Sequence, residues 1–185
     1  MSPAATIDAA GASLASLTAA DELFYGRGTV AVSMAEIRDR SGVSLRRLYS
    51  LYPSKSDLVA GWLRHRHESW MAGYSRRVEG RLARGDEPVD AIFTALEVWM
   101  TETVFRGCGF INTHAESSEL TDQHRSIIRD HKRSLAIYLE TLLPNGATVA
   151  VIVDGAIVQA SIFSNTEPIQ LARHAARALI AQDAL

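Results

Sequence analysis

Apolar residues recur three and four positions apart along most of this chain, which is the spacing of a helix that buries one face. Ile92, Leu96 and Trp99 form one such stripe. The nearest candidate for a strand is the branched run at 149–153, but it continues into residues spaced as in a buried helix. No sustained two-residue alternation is bounded by turn signals. The sequence therefore predicts an all-α fold of about nine helices with short connections.

The composition excludes several classes of protein. The 185 residues are 47% hydrophobic and 22% charged, as in ordinary globular domains, and the net charge of -2 gives no overall basic field. The single cysteine, Cys108, allows neither an intrachain disulfide nor a cysteine-based zinc finger. The first residues lack the basic start of a signal peptide, and no apolar run reaches the roughly 20 residues of a membrane span. We therefore expect a soluble cytoplasmic protein with no membrane partner.

The clearest local signals outline two short helices around a glycine turn. Ser33 and Glu36 have the spacing of a capping box, which starts one helix, and Gly42 is placed to end it. Ser44 then caps a second helix, which Pro53 stops. Two short helices joined by a three-residue turn that contains glycine are the outline of a helix-turn-helix.

Positive charge is concentrated on this motif. Residues 27–55 include six basic and two acidic residues, a net of +4, whereas residues 1–26 include three acidic residues and no basic one. Such a concentration is expected where a protein contacts phosphates. We expect Arg46 and Arg47 to face base edges, and Tyr49 and Lys55 to reach phosphates. The predicted DNA-contacting residues are Ser33, Ser44, Leu45, Arg46, Arg47, Tyr49 and Lys55. The alternative is a three-helix bundle with a solvated basic face.

The helix-turn-helix belongs to a longer pattern in the N-terminal part of the chain. Its parts are residues 17–24, Gly28, 33–37, 41–44, 48–49 and 53–58. This pattern resembles the DNA-binding domain of the TetR family of bacterial repressors, and residues 106–116 resemble a segment of one subgroup. The resemblance implies a homodimeric regulator in which residues 1–57 bind double-stranded operator DNA and residues 58–185 bind a small-molecule effector and form the dimer. One departure is that residues 2–17 contain no basic residue, which predicts fewer phosphate contacts.

After the helix-turn-helix, the chain carries more aromatic residues than a minimal core needs. Apolar pockets between helices combine such rings with a few polar groups. By the resemblance, the effector pocket would include Trp70, Trp99, Phe110, Asn112, His114, Tyr138 and Gln159. For any single ring, burial in the core is the alternative. The sequence indicates no cofactor.

Four further side chains could converge on a divalent metal. Asn112 and Glu116 are four residues apart and His124 and His131 are seven apart, so each pair shares one helix face. If those two helices pack together, the nitrogen and oxygen ligands would suit zinc or nickel. The alternative is that the histidines are exposed and that Asn112 caps a helix.

The last two predicted helices carry too few polar residues for the surface of a monomer. Small and branched apolar residues are interleaved in residues 149–163, and residues 169–180 have apolar residues at helical spacing, which together predict a four-helix dimer bundle. A charge at Ile157 or Ala160 is then expected to dissociate the dimer. Burial of both helices in the core of one protomer is the alternative.

Two other functions compete with DNA-binding regulation. An enzyme is disfavoured because the sequence contains no Gly-rich phosphate loop, nucleophile elbow or metalloprotease motif. The second is a helical ligand-binding or interaction module that has lost DNA binding, and its only support is the missing basic arm.

Overall fold

A computed structural model describes residues 8–102, 105–116 and 120–182. Within these residues the chain forms nine helices and no strand. They are α1 (Ala9–Arg27), α2 (Met34–Ser41), α3 (Leu45–Leu51), α4 (Lys55–Leu82), α5 (Pro88–Glu102), α6 (Gly109–Glu116), α7 (Asp122–Glu140), α8 (Gly146–Phe163) and α9 (Glu167–Gln182). The all-α prediction is confirmed, and the branched run at 149–153 lies inside α8.

The chain divides into two compact units. The first comprises residues 1–66 and 113–127, and the second comprises residues 67–112 and 128–185. Helices α4, α6 and α7 therefore contribute residues to both units. The functional boundary expected between residues 57 and 58 remains a prediction.

The first unit has a small apolar core beneath the helix-turn-helix. Helices α1, α2 and α3 pack against one another, and Phe24, Ile37 and Leu48 are almost fully buried. Phe24 meets the edge of Trp62 from α4, with 5.4 Å between the ring centroids. The indole N–H of Trp62 also donates to the Asp21 carboxylate at 2.7 Å. Apolar and polar contacts together fix the first part of α4 to α1.

Helix α9 packs against two other helices of the second unit. It packs on both α5 and α8, and Ile92, Val153 and Ala176 are buried in these three helices. The guanidinium of Arg173 donates to the Glu97 carboxylate at 2.9 Å, which adds a polar contact between α9 and α5. The position of α9 beside α8 is therefore fixed within the unit.

Candidate functional site

The two helices of the predicted motif begin and end where the sequence indicated. The Ser33 hydroxyl accepts from the Glu36 N–H at 3.3 Å, and the Glu36 carboxylate accepts from the Ser33 N–H at 2.8 Å, so the capping box is confirmed. Gly42 ends α2 with a left-handed φ of 70°, a conformation that glycine adopts without a steric penalty. The Ser44 hydroxyl accepts from the Arg47 N–H at 3.3 Å and starts α3. A glycine turn of three residues thus separates α2 from α3.

One face of α3 is open to solvent while the opposite face is buried. Leu48 has no exposed surface and anchors the helix in the core. Leu45 and Arg47 are half-buried at its sides. The exposed residues are Ser44, Arg46, Tyr49 and Ser50. An amphipathic helix of seven residues with a guanidinium and a phenol on its open face has the shape and chemistry of a helix that enters the major groove.

Fewer positive charges are available to DNA than the count from the sequence suggested, and they are concentrated on α3. Three ion pairs occupy the arginines of α1 and α2: Arg27 with Glu36, Arg38 with Asp39, and Arg40 with Glu22. The Lys55 ammonium donates to the Val30 carbonyl at 3.1 Å. Within the described part of the chain, Arg46 and Arg47 make no side-chain hydrogen bond and no ion pair. These two guanidiniums on α3 are therefore available to a polyanion at no cost in existing contacts.

A groove lies beside the open face of α3. It has a volume of about 500 Å³ and is lined by the segment around Val32, by Leu45 and Tyr49 of α3, and by Lys55. The groove thus brings together Tyr49 and Lys55, the two residues expected to reach phosphates. Ser33 also lines it, although its hydroxyl is engaged by Glu36.

The capping box lowers the pKa of the Glu36 carboxylate, so the titration of this group shows whether the box is formed. The hydrogen bond from the Ser33 backbone, followed by those from the Arg27 and Ser33 side chains, lowers the pKa of Glu36 from 4.5 to about 2. Because the native pKa is lowered, Glu36 stabilises the fold fully above pH 4.5, and this contribution is lost as the pH falls towards 2. We expect NMR titration of Glu36 to give a midpoint near 2 in wild type and a higher one in Ser33→Ala. A midpoint near 4.5 in wild type would contradict the box.

The aromatic residues proposed for an effector pocket are clustered in the second unit. Trp70 stacks on Tyr74, with 4.8 Å between centroids, and meets the edge of Trp99 at 5.5 Å. Tyr138 contacts Tyr74 edge-on at 6.2 Å. Burial raises the pKa of Tyr138 to about 12, so its hydroxyl stays neutral. Trp70 and Tyr138 therefore both contact Tyr74, and Trp70 also contacts Trp99.

Phe110 joins the same cluster through a histidine. Its ring stacks on His131 at 3.6 Å, and His131 also meets Trp70 edge-on at 5.4 Å. The Nδ1 atom of His131 is 3.1 Å from Nδ1 of His67, a residue that the sequence analysis did not select. The signal was present, because His67, Trp70 and Tyr74 have helical spacing on α4.

The other polar candidates for the pocket have different environments. Asn112 is half-buried and donates its side-chain N–H to the Arg106 carbonyl at 2.7 Å. His114 is exposed and belongs to the first unit, and Gln159 is exposed on α8. A polar group not selected from the sequence is Lys132, which donates to the Asp154 carboxylate at 2.7 Å and to the Cys108 sulfur at 3.3 Å. These contacts link α7, α8 and the start of α6.

The structure gives no support to a metal site at the four residues considered. Among the described residues, no three His, Cys, Asp or Glu side chains are close enough together to hold a metal ion. Both histidines of the set are buried, which differs from the exposed alternative. Both ring nitrogens of His124 are hydrogen-bonded to protein atoms, the Thr121 N–H and the Ser56 carbonyl. Glu116 lies against Gly28 in the first unit.

The outer surface of α8 exposes large apolar side chains. Its exposed residues are Ala147, Thr148, Val151, Gly155, Gln159, Ile162 and Phe163, of which only Thr148 and Gln159 are polar. Those at positions 148, 151, 155, 159 and 162 are spaced three and four apart and form one stripe. Val151 is 72% exposed and Ile162 is 69% exposed. Ile157 and Ala160, however, are 2% and 0% exposed. The expectation that charges at Ile157 or Ala160 would report on dimerisation is therefore wrong, because both side chains belong to the protomer core.

The same apolar character makes α8 long and hydrophobic enough to cross a membrane by length and composition alone. Its mean hydropathy is 1.7, and 39% of the helix is buried within the protein. Buried helices of soluble proteins have the same properties, so this is weak support for a span.

Comparisons with known proteins agree with the geometry of the N-terminal unit. The family described as bacterial regulatory proteins, tetR family, matches residues 17–61. No curated protein is similar enough to match. A TetR-family transcriptional regulator from Streptomyces coelicolor has 22% identity and a TM-score of 0.75, covering 94% of this chain and 96% of that one.

Other solved structures share the same fold. The reduced form of Escherichia coli NemR has 18% identity and a TM-score of 0.71, covering 91% of this chain and 97% of its own. A TetR-family regulator from Agrobacterium tumefaciens has 18% identity and a TM-score of 0.75, covering 94% and 99%. The family match falls on the helix-turn-helix, and the shared fold extends over nearly the whole chain. Residues 17–61 therefore match the DNA-binding domain of the TetR family of bacterial transcriptional regulators, and the chain shares the fold of solved structures of that family.

Proposed function

We propose that this regulator is a cytoplasmic, homodimeric repressor that binds double-stranded operator DNA and releases it when a small molecule binds. The observation that carries the proposal is the pair of guanidiniums on α3, Arg46 and Arg47, which have no side-chain partner among the described residues, beside arginines that are held in ion pairs. A bidentate contact from arginine to guanine is the most common specific contact in the major groove. Residues 1–57 are proposed as the DNA-binding part.

The dimer is supported by the exposed stripe of α8. Val151 and Ile162 would place apolar side chains in water in an isolated protomer, and Gly155 between them leaves open space above its Cα. A small residue at the centre of an apolar stripe lets two helices approach closely. Dimers of helix-turn-helix proteins read two half-sites about 34–36 Å apart, so the interface also fixes the operator spacing.

The effector site is supported by the ring cluster of the second unit. Trp70, Trp99 and Phe110 supply the kind of apolar surface that lines small-molecule sites, and His67 and His131 add polar groups. We assign this role to residues 58–185. Neither a catalytic role nor a metal is part of the proposal.

DNA binding is tested by selecting duplexes from a random library and from DNA flanking the gene, with mobility shifts over a range of salt concentrations. We expect a preferred palindromic duplex whose affinity falls with salt. Failure of a folded dimer to bind any duplex at low salt would favour the alternative, an interaction module without DNA binding.

Effector control is tested by linkage. Compounds that raise the melting temperature of the protein are titrated with and without the selected duplex, with intrinsic tryptophan fluorescence as readout. If the compound releases DNA, the duplex must weaken compound binding by the same factor, with a coupling of about 1–3 kcal/mol. Equal affinities in the two titrations would contradict allosteric coupling.

A further inference from the structure

Helix α7 begins with an unusual reciprocal cap. The Thr121 hydroxyl accepts from the His124 N–H at 3.3 Å, and Nδ1 of His124 accepts from the Thr121 N–H at 3.3 Å. A capping box normally has Glu or Gln at this third position of the helix, whereas an imidazole fills the role here. His124 is only 4% exposed, so its contacts are protected from water.

This cap selects the tautomer of the His124 ring. An N–H group can only donate, so Nδ1 must present a lone pair to Thr121. The proton of a neutral imidazole is then on Nε2. That atom is 2.9 Å from the Ser56 carbonyl and 3.5 Å from the Ser56 hydroxyl. The ring therefore accepts from α7 and donates to α4.

The contact falls on the first turn of α4, next to the DNA-binding surface. This turn has its own capping box, in which the Asp57 carboxylate accepts from the Ser54 N–H at 3.0 Å and the Ser54 hydroxyl accepts from the Asp57 N–H at 3.1 Å. Lys55, which lines the groove beside α3, lies between them in sequence. A hydrogen bond to the Ser56 carbonyl from a residue of another helix can therefore hold the first turn of α4 in place.

We propose that His124 is a positioning residue for operator binding: the cap of α7 fixes its Nε2–H tautomer, and this N–H holds the first turn of α4 in place beside the recognition helix. The inference rests on the proposed function, because its main readout is DNA affinity. We call the hydrogen bond from His124 Nε2 to the Ser56 carbonyl the tie. Loss of the tie frees the turn that carries Lys55, while the cap of α7 can remain.

Comparing two substitutions separates the effect of the tie from that of the cap. His124→Gln keeps both contacts, since its carbonyl accepts from Thr121 and its N–H donates to Ser56. His124→Glu keeps the cap, because Glu is favoured at this position, but it places an acceptor against the Ser56 carbonyl. Gln123→Glu is the matched control, because it adds the same charge at the neighbouring exposed residue.

Affinity is measured with the duplex selected by the wild-type protein, and folding is checked by thermal unfolding. We expect His124→Glu to lose at least tenfold in affinity, and His124→Gln and Gln123→Glu to remain within threefold of wild type. A folded His124→Glu that binds as tightly as Gln123→Glu would overturn the proposal.

The tautomer is measured on the wild-type protein by ¹⁵N NMR of labelled histidine, with the signals of His124 identified by their absence in His124→Gln. A proton on Nε2 is expected, and a proton on Nδ1 would overturn the proposal even if His124→Glu does not fold. If the wild-type protein selects no duplex, the repressor proposal fails, whereas the NMR result still decides whether the tie to Ser56 exists.

Discussion

Replacing Val151 or Ile162 by glutamate is expected to shift the protein from the proposed dimer towards a monomer of 20.2 kDa. Both side chains are about 70% exposed in the protomer, so the substitution leaves the core intact. In the proposed symmetric dimer each charge would be buried without a partner. We expect the dimer to be weakened by about 100-fold, which corresponds to ~2.7 kcal/mol.

Light scattering at micromolar concentration measures the mass, and Ile137→Glu is the matched control. Ile137 is 54% exposed on α7, so it places the same charge at an exposed apolar residue of the same unit. Operator affinity should fall with dissociation in the α8 variants and stay unchanged in the control. A dimer dissociation constant that is the same in Val151→Glu, Ile162→Glu and wild type, measured over a dilution series, would show that α8 is not the interface.

Removal of either free guanidinium from α3 is expected to weaken binding to the selected duplex. Arg46→Ala and Arg47→Ala should each cost about 1–3 kcal/mol and relax the preference at the bases that they contact. Arg38→Ala removes the same charge from α2, but this arginine is paired with Asp39, so its effect should be much smaller. Lys55→Ala should weaken all sequences evenly.

Binding to a panel of duplexes with single base changes separates these outcomes. A uniform loss across the panel for Arg46→Ala and Arg47→Ala would mean that both residues contact phosphates. An equal loss for Arg38→Ala would mean that the ion pair with Asp39 opens on DNA, and that net charge matters more than position.

Local signals were sufficient to predict the helix-turn-helix. Ser33, Glu36, Gly42 and Ser44 act through neighbours three or four residues away, and such contacts can be inferred from spacing. The ion pair between Arg40 and Glu22 joins residues 18 positions apart on different helices. Spacing carries no information about such a contact, so the count of positive charge overestimated what is available to DNA.

Helix α8 shows a different limit to prediction from sequence. Most residues on all its sides are small or apolar, so their periodicity does not indicate which side faces the protomer core. Ile157 and Ala160 face inward and Val151 and Ile162 face outward, although all four residues are apolar. Only the packing against α9 distinguishes the two sides. The role of His124 was also hidden, because the residue at the third position of a capping box is normally Glu or Gln.

The apolar stripe of α8 also determines how the regulator responds when it is scarce. A protomer that exposes Val151 and Ile162 is stabilised by association, so its melting temperature should rise with concentration. In the proposed dimeric repressor, operator occupancy would depend on the square of the protomer concentration once that concentration falls below the dissociation constant of the dimer. A modest decrease in synthesis would then weaken repression steeply, without any change in the affinity of the dimer for DNA.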